Sequence, residues 1–196
     1  MNIYQHIWLA ACWIIFGIVH SVFASDAVKD FIKRPMKSGF KFYRLSYSIV
    51  AFVMIIYILY FNFIITTTEL WHSSVIEKII SVAAGIAGVF VMAVCIQKYF
   101  FDLSGIDVFF GRKAADTLQI NGLNKYVRHP LYAGTLLFGW SFFFWQPLLS
   151  NLISCTCITL YTLIGAYFEE RRLIKTFGED YKNYAAKVPM IIPKFV

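Results

Sequence analysis

Two short clusters hold most of the residues that chemistry would use. The first, Gly122 to Gly134, contains Arg128-His129-Pro130-Leu131-Tyr132, and the second is Glu169-Glu170-Arg171-Arg172. Paired carboxylates beside a histidine and an arginine can hold a cation, whether a ligand's ammonium or a neighbouring guanidinium. Both clusters also have a plain reading. Glu169 to Arg172 would serve as an interfacial salt-bridge cluster, and Arg128 to Pro130 as a basic anchor with proline in the first turn of a helix. A third set is His20, with Ser21 and Ser25 one helical turn apart, and Arg44 further along. It offers a base whose ordinary pKa lies near neutrality and a polar surround. The plain alternative is hydrogen bonding between helices, which is common in membrane bundles.

These residues need elements to bring them together. Thirty-nine residues without a charge separate His129 from Glu169. As one helix they would measure roughly 58 Å, about twice the hydrocarbon thickness of a bilayer, so the segment must turn back. Gln146-Pro147 to Ser150-Asn151 is the natural break, and the resulting hairpin returns Glu169-Glu170 to the end that carries Arg128-His129.

The rest of the chain has the same character. Of its 196 residues 59% are hydrophobic and 15% charged, the composition of an integral membrane protein. Met1 to Ser25, Leu45 to Thr68 and Ile79 to Gln97 are further apolar spans, which with the hairpin give about five transmembrane helices. The first span lacks a basic leader and a small-residue cleavage site, so it reads as retained. Seventeen of the eighteen Lys and Arg fall on one side, with Lys78 alone opposite. By the positive-inside rule that side is cytoplasmic, placing the N-terminus outside and the C-terminus inside. The net charge of +7 then reflects topology and attraction to anionic headgroups of the membrane lipids, not nucleic acid.

The expected fold is an all-α integral membrane protein of one domain over 1–196, closed by a C-terminal helical hairpin and a cytoplasmic amphipathic helix. Leu173, Phe177, Tyr181 and Tyr184 recur at helical spacing over Glu169 to Tyr184 and define that last helix. The stretch from Lys98 to Arg128 alternates charges with Phe100, Phe101, Phe109 and Phe110 and reads as an interfacial lid or re-entrant segment. Cys12, Cys95, Cys155 and Cys157 lie in spans without metal-ligand spacing, so packing is their expected role and no metal is expected. No GxGxxG, GxxxxGK[ST] or HExxH occurs.

Taken together, the RHPxYxG core, the later EExxLxxxFGxxYxxY and the closing Val188-Pro189-Met190 resemble the isoprenylcysteine carboxyl methyltransferase and phospholipid methyltransferase superfamily. Phe16 to Ser21 with Ser25, and Tyr43 to Tyr47, resemble its small bacterial branch, which includes methanethiol S-methyltransferases, NnrU-like proteins and nurim. The resemblance implies an enzyme of the bacterial inner membrane that takes S-adenosyl-L-methionine as methyl donor, with a cofactor-binding half at about 98–196. It implies that Asp116, Thr117, Leu118 and Gln119 line one side of the donor and His129, Pro130, Leu131 and Tyr132 the other, while Glu169 takes its amino group. Tyr132 and Tyr167 would face the sulfonium. The catalytic group would be His20, as base, with Arg128 and Glu170, and Ser21, Ser25 and Arg44 would meet the substrate.

The implied acceptor is a small lipophilic nucleophile such as a thiol. Two departures bear on it: Asn124 stands where many relatives carry tyrosine, and Gly165 stands where isoprenylcysteine enzymes carry the arginine that binds the substrate carboxylate. Phospholipid N-methylation, prenylcysteine O-methylation, NADPH-dependent lipid reduction on a similar hairpin, and a non-catalytic membrane role are the alternatives.

Overall fold

Long apolar runs leave no choice but helices, since backbone polar groups within lipid must be satisfied inside the segment. The computed structural model describes residues 2–104 and 117–194. It places α1 at Ile3–Ala24, α2 at Asp26–Met36, α3 at Tyr43–Ile64, α4 at Val75–Ser104, α5 at Pro130–Trp145, α6 at Leu149–Phe177 and α7 at Glu179–Lys187, with tight turns of helix at Lys37–Phe42 and Gly122–Lys125. No strand occurs among the described residues.

Local signals set the ends. The Asn2 side chain accepts from the N–H of Tyr4 to start α1, and Ser25 ends α1 while its hydroxyl caps α2. Pro130 opens α5 at a position where a missing N–H costs nothing, and Pro147 separates α5 from α6 as the sequence suggests. Gly178, at φ 57°, ends α6 in the left-handed region that glycine tolerates. The amphipathic stretch expected over Glu169 to Tyr184 is therefore two pieces, the last turns of α6 and the separate α7.

Among the described residues four helical segments are long and apolar enough to cross a membrane: Ile3–Ala24, Gly39–Ile64, Val75–Lys98 and Leu149–Phe177. The fifth expected span, α5, has 16 residues, about 24 Å of helix, yet it runs from the Arg128 end to the opposite end of the molecule. At that far end Leu70 N–H donates to the Pro147 carbonyl at 2.8 Å and Leu149 N–H to that of Thr68 at 2.9 Å, clipping the turn of the hairpin to the chain leaving α3. Ile7, Ile14, Phe52, Phe63, Ile86, Phe90 and many other large apolar residues lie exposed, a surface suited to lipid and not to water. The protein is an integral membrane protein.

Inside the bundle, Leu9, Cys12, Trp13 and Phe16 of α1 meet Ala51 and Ile58 of α3, with Ile158 and Tyr161 of α6 against them. Polar side chains join the same helices toward the far end. Asn62 donates to Asn151 at 2.8 Å, Ser154 donates to Asn62 at 2.9 Å, and Trp13 donates to Ser154 at 2.9 Å. His6 reaches Thr67 at 3.1 Å. On the other flank α4 and α5 touch backbone to backbone: a Cβ on Gly134 would lie 3.0 Å from the Gly88 carbonyl oxygen. That closeness is the small-residue packing of membrane helices, and it accounts for the glycine that ends the RHPxYxG run.

Candidate active site

The two clusters meet at a mouth where the start of α5 faces the last turns of α6. The N–H groups of Arg128 and His129 donate to the carbonyls of Pro189, at 2.9 Å, and Met190, at 3.0 Å, so the segment after α7 is fastened across the RHP run. Arg128 forks onto Glu170, Nε to Oε1 at 2.6 Å and Nη2 to Oε2 at 2.8 Å, while Nη1 donates to the carbonyls of Ala185 and Val188. Tyr181 donates to Glu170 Oε1 at 2.9 Å, and His129 Nε2 does so at 3.1 Å. The Glu170 carboxylate is thus engaged on both oxygens by three side chains.

Glu169 differs. Tyr132 donates to its Oε2 at 3.1 Å and His129 Nδ1 lies 3.4 Å from the same oxygen. Its side chain is 46% exposed against 17% for Glu170, and its Oε1 accepts no hydrogen bond among the described residues. Adjacent residues on one helix therefore present one carboxylate locked inward and one available.

His129 sits between them. Both ring nitrogens face carboxylate oxygens, an arrangement that favours the positively charged ring. Burial opposes that charge, but the hydrogen bonds and attraction from Glu169 and Glu170 outweigh it and raise the His129 pKa above its ordinary value. Burial likewise works against the Arg128 charge, and Glu170 again prevails. Burial first, then Glu170, hold the Tyr181 phenol above its usual range and keep it a donor. The Tyr132 ring stacks on His129 at 5.4 Å between centroids, with 12° between planes.

From this mouth a line of side chains leads along α6 toward α1. Tyr161, Gly165 and Glu169 occupy successive turns of one face. A Cβ on Gly165 would come within 3.9 Å of the Tyr132 hydroxyl, so the position where isoprenylcysteine enzymes carry arginine does face the site. Gly17 lets Tyr161 lie against α1, where a Cβ would stand 3.0 Å from its ring. Tyr161 packs edge-on to His20 at 6.4 Å. His20 also stacks on Phe16 at 5.7 Å and meets Tyr47 at 6.1 Å.

Among the other expected site residues, Pro130 is buried and Leu131 half-buried in the first turn of α5, next to Tyr132. Gln119 donates to the Thr117 hydroxyl at 3.2 Å, with Leu118 half-buried between them. Asp116 lies outside the described residues, as does the middle of the expected lid, 105–116. Ser25 is committed to the α1 to α2 junction, donating to the Val22 carbonyl at 2.7 Å. Arg44 is half-buried at the start of α3 and forms no ion pair among the described residues. Tyr167 lies on another face, 54% exposed beneath Arg171. Asn124 is structural, donating to the Arg128 carbonyl at 3.2 Å and receiving the Tyr184 hydroxyl on its own carbonyl at 2.6 Å. Tyr161 and Tyr181 escaped the sequence reading of the site. Their only linear signals are the four-residue steps from Tyr161 through Gly165 to Glu169 and the tyrosine repeat after Gly178.

Helices crossing a membrane around a carboxylate-rich polar mouth define an all-α membrane protein with a site at one end. The chain belongs to the NnrU protein family, whose profile matches residues 8–194. It is 36% identical over 101 residues to a methanethiol S-methyltransferase of Crocosphaera subtropica, a match covering 47% of this chain and 38% of that protein. It is 29% identical over 190 residues to methanethiol S-methyltransferase 2 of Bradyrhizobium diazoefficiens, covering 92% and 70%. A third relative, the protein-S-isoprenylcysteine O-methyltransferase of Schizosaccharomyces pombe, is 36% identical over 86 residues, covering 39% of this chain and 33% of its own. The matched part of the first of these is thus well under half of that relative's length. No solved structure gives a significant match.

Proposed function

We propose that the protein is an integral membrane methyltransferase that uses S-adenosyl-L-methionine and acts on a small lipophilic nucleophile such as a thiol. The observation that carries this reading is the division of labour between Glu169 and Glu170. Arg128, His129 and Tyr181 consume Glu170, whereas Glu169 keeps an open oxygen at a half-exposed mouth beside a tyrosine face. An ammonium fits an open carboxylate, and a sulfonium fits the electron-rich face of Tyr132, so the residues present suit both cationic groups of the donor.

When bound, the donor supplies a methyl group on a sulfonium, open to displacement in line. The chain's task is then placement, exclusion of water and removal of one proton from the acceptor. Glu169 binds the donor's amino group; Pro130, Leu131 and Tyr132 wall one side, and Thr117, Leu118 and Gln119, with Asp116, the other. Arg128 and Glu170, expected to be catalytic, act here as positioning residues, because their charges are spent on each other and on the chain after α7. His129 holds the two glutamates apart in place. His20 is the base, with Ser21 next to it on α1. The mouth faces the cytoplasm of a bacterial inner membrane, where seventeen of the eighteen Lys and Arg would lie. Gly165 leaves a prenylcysteine carboxylate without its arginine, which favours a neutral acceptor.

Calorimetry on detergent-purified protein tests the reading. S-adenosylmethionine should bind and NADPH should not, and labelled methyl groups should pass to a thiol. Binding of NADPH alone would overturn it in favour of lipid reduction.

A further inference from the structure

The segment joining α1 to α3 contains a helix that the bundle does not cover. Both spans end on the mouth side, Ala24 closing α1 and Tyr43 opening α3, so α2 is tied at each end to the membrane surface. None of its residues is buried, although one side of it is apolar. Val28, Phe31, Ile32 and Pro35 recur at steps of three and four and share a stripe with Met36, while Asp26, Lys29, Asp30, Lys33 and Arg34 occupy the opposite arc. Val28 and Ile32 are half-buried, but Phe31 is 77% exposed. A helix of 11 residues is marginal in water, so this one needs something to pack on.

The charges around it identify the cover. From Asp26 to Arg44 the basic residues are Lys29, Lys33, Arg34, Lys37, Lys41 and Arg44, against Asp26 and Asp30 alone. Asp26 is engaged by Lys29 at 3.2 Å, and Arg172 of α6 lies 3.9 Å from the same carboxylate oxygen. Lys33, Arg34 and Lys37 form no ion pair among the described residues. Lys41 lies over the Phe42 ring at 4.9 Å and Phe40 stacks on Tyr43 at 5.5 Å, aromatic rings of the kind that settle at headgroup level. An anionic lipid leaflet supplies both missing partners at once, phosphates for the free cations and an acyl boundary for Phe31. An acidic protein would match the charges and leave the apolar stripe bare. We infer that α2 lies flat on the leaflet at the mouth side, with Phe31 pressed into the acyl boundary and Lys33, Arg34 and Lys37 on headgroup phosphates, and that this segment is a binding surface for anionic phospholipid. Other basic residues at that end, such as Lys175, Lys182 and Lys187, lie outside it. The surface is separate from the donor mouth, though the approach of Arg172 to Asp26 sets α2 alongside the last turns of α6.

The whole protein in phosphatidylcholine nanodiscs tests both halves of this assignment. Nitroxide labels on Phe31→Cys and Asp30→Cys, read by electron paramagnetic resonance, should divide: oxygen, which concentrates in the acyl region, should relax the first more, and a water-soluble nickel chelate the second. Spin-labelled phosphatidylglycerol should be held by the wild type in preference to spin-labelled phosphatidylcholine by about fivefold or more, the scale of one basic residue at an anionic surface. Replacing Lys33, Arg34 and Lys37 together by Gln should remove most of that preference, whereas replacing Lys175, Lys182 and Lys187 by Gln should leave it nearly unchanged. All six side chains are exposed, so neither triple variant threatens the fold. Equal relaxation of the two labels by nickel overturns the proposal, and so does a Phe31 label shielded from oxygen and nickel alike, which would show a protein seated on the stripe. A lipid preference that survives the α2 substitutions, or that both triple variants lower equally, overturns it as well.

Discussion

At the scale of single residues, two adjacent glutamates divide between ligand and structure, and the division predicts opposite phenotypes. Glu169→Gln should weaken S-adenosylmethionine binding by about 1.5–3 kcal/mol, the range for a hydrogen bond to a charged group, while leaving the melting temperature nearly unchanged. Glu170→Gln strands Arg128, whose side chain is 12% exposed, and should cost about 3 kcal/mol of stability. Equal effects of the two on both measurements would refute the assignment. His129 adds a pH dependence. Its folded pKa is raised above the ordinary histidine value of about 6.5, so its contribution to stability is complete below that pH and is lost as pH rises through the raised value. The wild-type melting temperature should therefore fall on going alkaline, with a slope that His129→Gln flattens. Identical slopes would show that the imidazolium contributes nothing. Sequence reading assembled Arg128, His129, Glu169 and Glu170 correctly into one region, because a long uncharged run must fold back. Which glutamate is locked depends on the reach of Arg128 and Tyr181 in space, and linear order cannot show that.

At the scale of elements, the bundle's joints are two kinds of close contact. Between α4 and α5, a Cβ on Gly88 would stand 2.7 Å from the Phe138 backbone nitrogen and 2.9 Å from the Gly134 carbonyl oxygen. Gly88→Ala should therefore destabilise by about 1–3 kcal/mol, as overpacking does. Gly85→Ala, where the new carbon would meet Ser141 Cβ at 3.6 Å, should be close to neutral in the same thermal-melt assay. Two equally harmless substitutions would contradict the observed approach of the helices. Between α1, α3 and α6, Asn62 links Asn151 and Ser154, and Asn62→Leu should cost about 1–2 kcal/mol, the upper part of the range for interhelical hydrogen bonds in membranes. Proline and charge marked the hairpin break plainly in the sequence. The split at Gly178 was hidden because the apolar periodicity runs on through it, and the Asn62 network was hidden because isolated polar residues in apolar runs do not announce their partners. α5 read as a full span on hydropathy, yet Pro130 and Gln146-Pro147 cut it to 16 residues.

At the scale of the whole molecule, a girdle of exposed apolar side chains separates two unequal ends. The mouth end carries Arg128, the glutamate pair and most of the described basic residues, whereas the far end carries His72, Glu69 and Lys78. The helices alternate in direction between them, so the first residues of α1 and the segment after α7 lie at opposite ends: His6 meets Thr67 at the far end, and Pro189 meets Arg128 at the mouth. A donor made in the cytoplasm can be used only if the mouth opens there, and the excess of Lys and Arg at that end favours this orientation. The four native cysteines are buried or half-buried, so an introduced thiol gives a clean signal with an impermeant maleimide added to intact cells. His72 is almost fully exposed at the far end and Lys182 is exposed near the mouth. His72→Cys should label from outside, while Lys182→Cys should label only after the membrane is made permeable. The opposite pattern would turn the site away from the donor pool, so that Glu169 could meet S-adenosylmethionine only if the donor were exported. In that case the open carboxylate would need a different cation to explain it, and the methyltransferase reading would lose the observation on which it rests.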